Sequence, residues 1–180
     1  MGTEIHLPDV GALKTLLYLG SGARYRSHFG LLQYMENIPC KIAADLDNSV
    51  QDTWVGHGWI PMILDISDLS NFADNSIDAI FAIDAIEHLE KEDGLYMLTE
   101  IDRVAKVLSV IFTPVNFLDV RIYQSELINP VLNGLDIHKS GWVQSDLEDF
   151  GYIVTTFKEL HQFGDVKFDA MLGVKRYDDL

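Results

Sequence analysis

The sequence has a single cysteine, few basic residues and no long apolar run. With only Cys40, an internal disulfide and a cysteine-based zinc site are both excluded. The chain carries 13 Lys and Arg residues against 28 Asp and Glu residues, a formal net charge of −15. Because phosphate binding needs clustered Lys and Arg, this balance predicts that neither nucleic acid nor an anionic membrane surface is a partner. Small molecules, cations and basic proteins remain as candidate partners.

No stretch of about 18 apolar residues is present, so no membrane span is predicted. Residues 1–11 have no basic start and no apolar core of a signal peptide, and we therefore expect a cytoplasmic protein. The 180 residues contain no internal repeat and no linker rich in Pro, Gly or Ser. One domain spanning residues 1–180 is the expectation for this length.

Short apolar runs alternate with segments of helical period along the chain. Strands are predicted at residues 14–19, 41–46, 61–64, 77–83, 107–113, 153–157 and 168–174, and helices at residues 25–36, 48–55, 91–105 and 145–150. Ser145 and Glu148 form the pattern of a capping box for the last helix, and Gly151 is suited to end it. This alternation predicts an α/β fold, a Rossmann-like three-layer sandwich around a mostly parallel seven-stranded sheet with an antiparallel last strand.

Glycines or acidic residues follow each of the first four predicted strands. The first strand is followed by the turn Gly20-Ser21-Gly22, the second by Asp45 and Leu46, the third by Asp65 and Ile66, and the fourth by Asp84. Ligands of such sheets bind at the carboxyl ends of the strands, where a glycine turn lets the backbone approach closely and a carboxylate accepts from ribose hydroxyls. Each feature alone also fits a plain turn or a solvated loop acid.

Taken together, these strand ends resemble class I S-adenosylmethionine-dependent methyltransferases. The similar segments are residues 17–22 (LYLGSG), 44–46 (ADL), 64–66 (LDI), 76–80 (SIDAI), 86–89 (IEHL), 103–106 (RVAK) and 111–114 (IFTP). Residues 138–142 (HKSGW), with 146–147 and 151–152, resemble a small, poorly characterised subgroup of that family. The resemblance implies a methyltransferase that uses S-adenosylmethionine, yields S-adenosylhomocysteine and acts on a small-molecule or carbohydrate-type acceptor.

The resemblance also implies roles for individual residues. It assigns the cofactor's methionine part to Gly20, Ser21 and Gly22, its ribose to Asp45, and its adenine to Leu46, Asp65 and Ile66, with Asp84 near the donor methyl group. Carboxylates suit these positions because ribose diols and the exocyclic amine are donors and the sulfonium is a cation.

Departures from the family pattern leave two alternatives open. The family usually has an acidic residue where Tyr18 stands, and often a third glycine where Arg24 stands. A methyltransferase-like binding or regulatory module with weakened catalysis is therefore one alternative. A nicotinamide-dependent oxidoreductase is another, although Tyr25 occupies the place of the third glycine of a dinucleotide fingerprint.

Candidates for the acceptor side come from the later strand ends. His88 and His138 are predicted as catalytic bases or acceptor contacts, or else as structural histidines. Asn116 and Trp142 are predicted substrate contacts, with packing as the alternative for Trp142. Residues 116–140 have no clear period and are long for a connection, which predicts a lid or acceptor-binding insertion. No metal site is predicted, because His57 and His161 have no partners at metal-ligand spacing.

Overall fold

A computed structural model of the protein describes residues 13–22, 31–48, 50–117, 137–163 and 166–177, together with Leu7 and Gly11. The strands in these ranges are β1 (Thr15–Leu19), β2 (Cys40–Asp45), β3 (Ile60–Ile63), β4 (Ile77–Ile83), β5 (Ala105–Pro114), β6 (Ile153–Phe163) and β7 (Val166–Arg176). The helices are α1 (Leu31–Glu36), α2 (Val50–Val55), α3 (Lys91–Val104) and α4 (Gln144–Glu148). A single 3-10 turn, Ile86–His88, lies between β4 and α3.

The strands form one seven-stranded sheet in the order β3-β2-β1-β4-β5-β7-β6. Strands β1 to β5 pair in parallel, whereas β7 runs antiparallel to both β5 and β6. The predicted fold class is thereby confirmed, including the antiparallel last strand. Because β2 and β4 flank β1 on opposite sides, the switch point of the sheet lies between β1 and β4, and a ligand crevice is expected at their carboxyl ends.

Alternate side chains of the central strands are buried on opposite faces of the sheet. In β1, Leu17 and Leu19 belong to the apolar cluster that includes α3, whereas Leu16 and Tyr18 belong to the cluster that includes α1 and α2. Each fully buried leucine contributes roughly 1.5–3 kcal/mol of hydrophobic stabilisation. The two clusters make the three layers and hold the ends of β1 and β4 in fixed positions.

Two predicted element boundaries are wrong for local reasons. The capping-box pattern predicts that the last helix begins with Ser145 as its cap, but α4 begins at Gln144, and its cap is Val143. The Asp146 carboxylate accepts from the Val143 N–H at 2.8 Å, so the acid two positions earlier takes the part predicted for Glu148. β6 continues beyond residue 157 to Phe163. The sequence pattern misses this continuation because a register shift after Phe157 breaks the apolar alternation.

The end of α4 agrees with the sequence. Gly151 has φ +82° and donates its N–H to the Glu148 carbonyl, which is the left-handed turn that glycine was predicted to supply. Within the described residues, no helix combines the length and the apolar character that a membrane crossing requires.

Candidate active site

The turn after β1 is crowded and left-handed at two positions. Gly20 and Gly22 have φ values of +65° and +64°, which only glycine adopts without strain. The N–H groups of Gly20 and Ser21 both donate to the Ala44 carbonyl, at 2.9 and 3.2 Å. A Cβ atom on Gly20 would lie 2.5 Å from the Cβ of Ala85. The turn is therefore held between the end of β2 and the loop after β4.

Asp45 ends β2 and binds this turn directly. One carboxylate oxygen, Oδ2, accepts from the Gly22 N–H at 2.8 Å, and Oδ1 accepts from the Asp47 N–H at 3.0 Å. A carboxylate offers about four lone-pair sites, so both oxygens retain capacity to accept from a diol. The next residue, Leu46, leaves 47% of its surface exposed, which is high for an apolar side chain beside a strand end.

Asp65 and Ile66 follow β3 and reach the same edge. Asp65 Oδ1 accepts from the backbone N–H of Ser67 at 3.0 Å and from its hydroxyl at 2.7 Å. Ile66 is 8% exposed, and its Cδ1 atom lies 3.7 Å from the position of a Cβ on Gly20. The loops after β1, β3 and β4 thus converge on Gly20.

Asp84 follows β4 in a left-handed conformation, with φ +49°. Its N–H donates to the Phe112 carbonyl at 2.8 Å, and its carboxylate Oδ1 lies 2.7 Å from Nε2 of His161. We expect a surface or packing role for His161, and its ring does pack against Phe112 at a centroid distance of 5.4 Å, while β6 also brings it to the strand edge beside Asp84. A separation of 77 residues between the partners leaves no local signal from which the contact could be predicted.

Tyr18 is buried behind the glycine turn. Its ring packs edge-on against Trp54 at a centroid distance of 5.6 Å, and the Trp54 Nε1–H donates to the Gly22 carbonyl at 2.8 Å. Burial, and then the negative charge of Asp84, raise the pKa of the Tyr18 hydroxyl. Where the family usually has an acid, this chain therefore has a neutral ring that supports the turn through Trp54.

His88 and His138 come together although 50 positions separate them along the chain. Their ring centroids lie 4.9 Å apart in an edge-to-face arrangement. His88 Nδ1 lies 3.3 Å from the Ile137 carbonyl oxygen, and the Lys139 N–H donates to the Glu87 carbonyl at 2.8 Å. These contacts dock the segment before α4 onto the 3-10 turn. Their predicted catalytic role stays a prediction.

Glu87 is a buried acid, which the sequence analysis includes only within the segment 86–89. It is 2% exposed, and its Oε2 accepts from the Thr113 hydroxyl at 2.9 Å. Its Oε1 is buried and has no hydrogen-bond partner. Burial, followed by repulsion from Asp84, raises the pKa of this carboxyl well above its usual range. Alternation does not predict this burial, because the residue lies in a turn rather than a strand.

The two predicted substrate contacts differ in their surroundings. Asn116 is exposed, with φ +68°, and its N–H donates to the Trp142 carbonyl at 2.7 Å. Trp142 is fully buried: the Lys91 ammonium lies 3.6 Å from its ring centroid, and a Cβ on Gly94 would lie 2.5 Å from the ring. The burial of its side chain agrees with the packing alternative for Trp142, and the substrate contact stays a prediction. Residues 118–136 of the predicted insertion lie outside the described residues.

Comparisons with known proteins agree with this geometry. A family model described as a methyltransferase domain matches residues 40–112. A methyltransferase of Archaeoglobus fulgidus that depends on S-adenosylmethionine has a similar structure, with 16% identity and a TM-score of 0.61, over 91% of this chain and 87% of that one. The magnesium protoporphyrin IX methyltransferase of Synechocystis, with S-adenosylhomocysteine bound, is 13% identical with a TM-score of 0.58, over 90% and 74%.

A small-RNA methyltransferase is also similar in structure. It is 14% identical with a TM-score of 0.57, and the match covers 94% of this chain but 24% of that one. No curated protein sequence matches the chain. The structural likenesses show that the chain has the fold of these methyltransferases. The family model matches the part of the chain from β2 into β5, which includes Asp45, Asp65 and Asp84.

Proposed function

We propose that this protein transfers the methyl group of S-adenosylmethionine to a small-molecule acceptor, of carbohydrate type or similarly rich in hydroxyl groups. The observation that carries the proposal is the link between Asp45 and the glycine turn. The Asp45 carboxylate fixes the Gly22 amide at 2.8 Å while keeping lone pairs for further donors. The left-handed turn and the acid that holds it lie beside the switch point of the sheet. Such a site fits a nucleoside that carries a charged chain, with the acid placed to bind the ribose.

The donor set at the strand ends fits the parts of S-adenosylmethionine one by one. Asp45 can accept from the ribose diol, and Asp65 from the exocyclic amine of adenine. Leu46 offers an exposed apolar face for the adenine ring, 47% of its surface. Asp84 adds negative charge on the other side of Gly20. Carboxylates on both sides of the turn favour a cation, since a positive charge gains Coulomb energy in a partly dry crevice.

Bound S-adenosylmethionine supplies an electrophilic methyl group on a sulfonium. The residues of the chain bind and orient: the clamped turn restricts the donor, and the segment carrying His138 restricts the acceptor. In such a reaction most of the rate enhancement comes from holding donor and acceptor in line. His88 or His138 takes the acceptor's proton where the acceptor carries one, because imidazole titrates near neutral pH.

The acidic surface supports a small acceptor rather than a nucleic acid. The net charge is −15, and Glu87 lies beside the two histidines. A polyanion would be repelled from this region unless basic residues compensated. RNA, the acceptor class of one structurally similar methyltransferase, is therefore an outcome for the experiment to test.

A binding or regulatory module with weakened catalysis is the second candidate. Tyr18 favours it, because the ring is buried where relatives carry an acid, and one polar contact to the cofactor would be lost. Such a module would bind S-adenosylhomocysteine without turnover.

Transfer of a labelled methyl group separates the two candidates. The protein should be incubated with methyl-labelled S-adenosylmethionine and panels of hydroxylated small molecules, carbohydrates and RNA, with Asp45→Ala as the matched control. Label in a small-molecule product, absent with the control, supports the proposal. Label in RNA alone would overturn the choice of acceptor, and cofactor binding without label in any panel would favour the module.

A further inference from the structure

Three potential metal ligands converge beside the cofactor crevice. One carboxylate oxygen of Glu87 and one ring nitrogen each of His88 and His138 all lie within 4.8 Å of one another. They come from two segments, the 3-10 turn after β4 and the strand-like segment before α4. The Lys139 and Ser140 N–H groups both donate to the Glu87 carbonyl, at 2.8 and 3.2 Å, and fix one segment against the other. The three side chains are thus held together by backbone contacts.

The Glu87 carboxylate is the strongest pointer to a ligand in this cluster. It is 2% exposed, and Oε1 has no hydrogen-bond partner while Thr113 satisfies Oε2. An unsatisfied buried polar atom costs free energy that native proteins rarely leave uncompensated. A hydrogen-bond donor, a proton or a cation compensates a carboxylate oxygen in such surroundings.

The hydrogen bonding of His88 prepares the ring for coordination. Its Nδ1 lies 3.3 Å from the Ile137 carbonyl oxygen, and a carbonyl can only accept. In the neutral ring this contact places the proton on Nδ1 and the lone pair on Nε2, the nitrogen through which the ring would coordinate a metal. A backbone carbonyl on the far nitrogen is the usual support of a metal-binding histidine.

We propose that Glu87, His88 and His138 form a binding site for a divalent first-row transition cation such as Zn²⁺, Mn²⁺ or Co²⁺. Two imidazoles and one carboxylate suit these metals, whereas Mg²⁺ and Ca²⁺ prefer oxygen ligands alone. With metal–ligand bonds of about 2.0–2.2 Å, ligand atoms of a tetrahedral site lie roughly 3.3 Å apart. Coordination would require the three ligand atoms to move from their present spacing, within 4.8 Å of one another, to that closer one.

Three protein ligands leave a coordination position open. For the reaction, and here the inference rests on the proposed function, an acceptor hydroxyl could take that position and lose its proton to solvent more readily, with His88 and His138 then acting as ligands in place of bases. The site differs from the sequence prediction of no metal, which depended on spacing along the chain. His88 and His138 become neighbours only after folding.

A titration with CoCl₂ tests the site without any cofactor present. Untagged protein, stripped with a chelator, should bind one Co²⁺ per chain and develop the visible absorption of a coordinated cobalt ion, with Zn²⁺ displacing it and Mg²⁺ not. Glu87→Gln and His138→Ala should weaken binding by more than about 10-fold, the loss typical of even an outer partner. His57→Ala, on the exposed turn after α2, should match the wild type.

Two variants keep the test informative if one fails to fold, and circular dichroism identifies such a failure. No saturable binding of Co²⁺, Zn²⁺ or Mn²⁺ by the wild type would overturn the proposal, as would equal binding by wild type and both ligand variants. Binding of S-adenosylhomocysteine is measured separately. Cobalt binding without cofactor binding would refute the proposed function and leave the metal site standing, and the reverse result would refute the metal site alone.

Discussion

The carboxyl edge of the sheet has two halves that are built differently. In the half formed by the loops after β2 and β3, Asp45 and Asp65 accept from backbone N–H groups two positions further along. In the half after β4, Asp84 contacts a residue 77 positions away and Glu87 one 26 positions away. The first half combines local loop contacts with the hydrogen bond from the Gly22 N–H to Asp45, across 23 positions, and the second half depends on contacts that span 26 and 77 positions.

This difference corresponds to a difference in chemical role. Under the proposed function, the local half would hold the nucleoside of the cofactor with the glycine turn and its acids. The long-range half, with the buried acid and the histidine pair, would face the acceptor. Variants in the two halves should therefore fail in different ways.

Gly20→Ala should have the largest effect, because the glycine turn is where the loops converge. A left-handed alanine costs about 1–2 kcal/mol, and the 2.5 Å approach to Ala85 adds an overpacking cost of about 1–3 kcal/mol. We expect a loss of roughly 2–5 kcal/mol in the free energy of unfolding, measured by urea denaturation, together with loss of S-adenosylhomocysteine binding.

Gly58→Ala is the matched control for that variant. Gly58 also has positive φ, +75°, but a Cβ there would meet nothing within 4 Å. Gly58→Ala should lose only the cost of a left-handed alanine, about 1–2 kcal/mol in the free energy of unfolding. Equal losses at the two positions would mean that the turn after β1 is not crowded.

Asp45→Ala should have the next largest effect, on cofactor binding. Removing charged hydrogen bonds to the ribose should weaken S-adenosylhomocysteine binding by about 1–3 kcal/mol, roughly 5- to 150-fold in calorimetric affinity. Asp47→Ala serves as the control and should bind nearly as well as the wild type. If Asp47→Ala carried the loss and Asp45→Ala did not, the ribose assignment would move to Asp47.

Glu100→Gln should have the smallest effect, and on stability alone. Glu100 lies on α3, where hydrogen bonds from Arg103 hold its pKa below the usual value of 4.5. A carboxyl group whose pKa is lower in the folded state stabilises the protein at pH values above its pKa in the unfolded state. This contribution disappears as the pH falls through the pKa of the folded state.

At pH 7 the variant should therefore be less stable by about 1 kcal/mol, an amount discounted for partial exposure of Arg103. The difference in free energy of unfolding between variant and wild type should disappear as the pH falls below about 4.5, the pKa of the glutamate in the unfolded state. Denaturation curves at several pH values would measure it, with cofactor binding as the unaffected comparison. A gap that widened in acid would contradict the role of the ion pair.

The local half was predictable from sequence, and the long-range half was not. The β-branched run 77–83 ends at Asp84, so the strand and the acid after it follow from apolar patterning. Gly20 and Asp45 likewise stand where a strand stops. By contrast, the contact of His161 with Asp84 depends on β7 and β6 folding back against β5, and a register shift in β6 hides it from periodicity.

Burial was the second property that patterning could not supply. Trp142 is among the predicted substrate contacts, yet it fills a gap over Gly94 in the core. In the sequence, Glu87 stands out only as part of the segment 86–89 that resembles the family, yet it is the most deeply buried acid among the described residues. In both cases the decisive neighbour comes from a distant element.

Calorimetric titration with S-adenosylhomocysteine tests the central claim most directly, namely that this strand edge is a cofactor site. The wild type should bind one equivalent, and Asp45→Ala should bind more weakly by the margin given above. Absence of binding by the folded wild type at millimolar S-adenosylhomocysteine and S-adenosylmethionine would contradict the account.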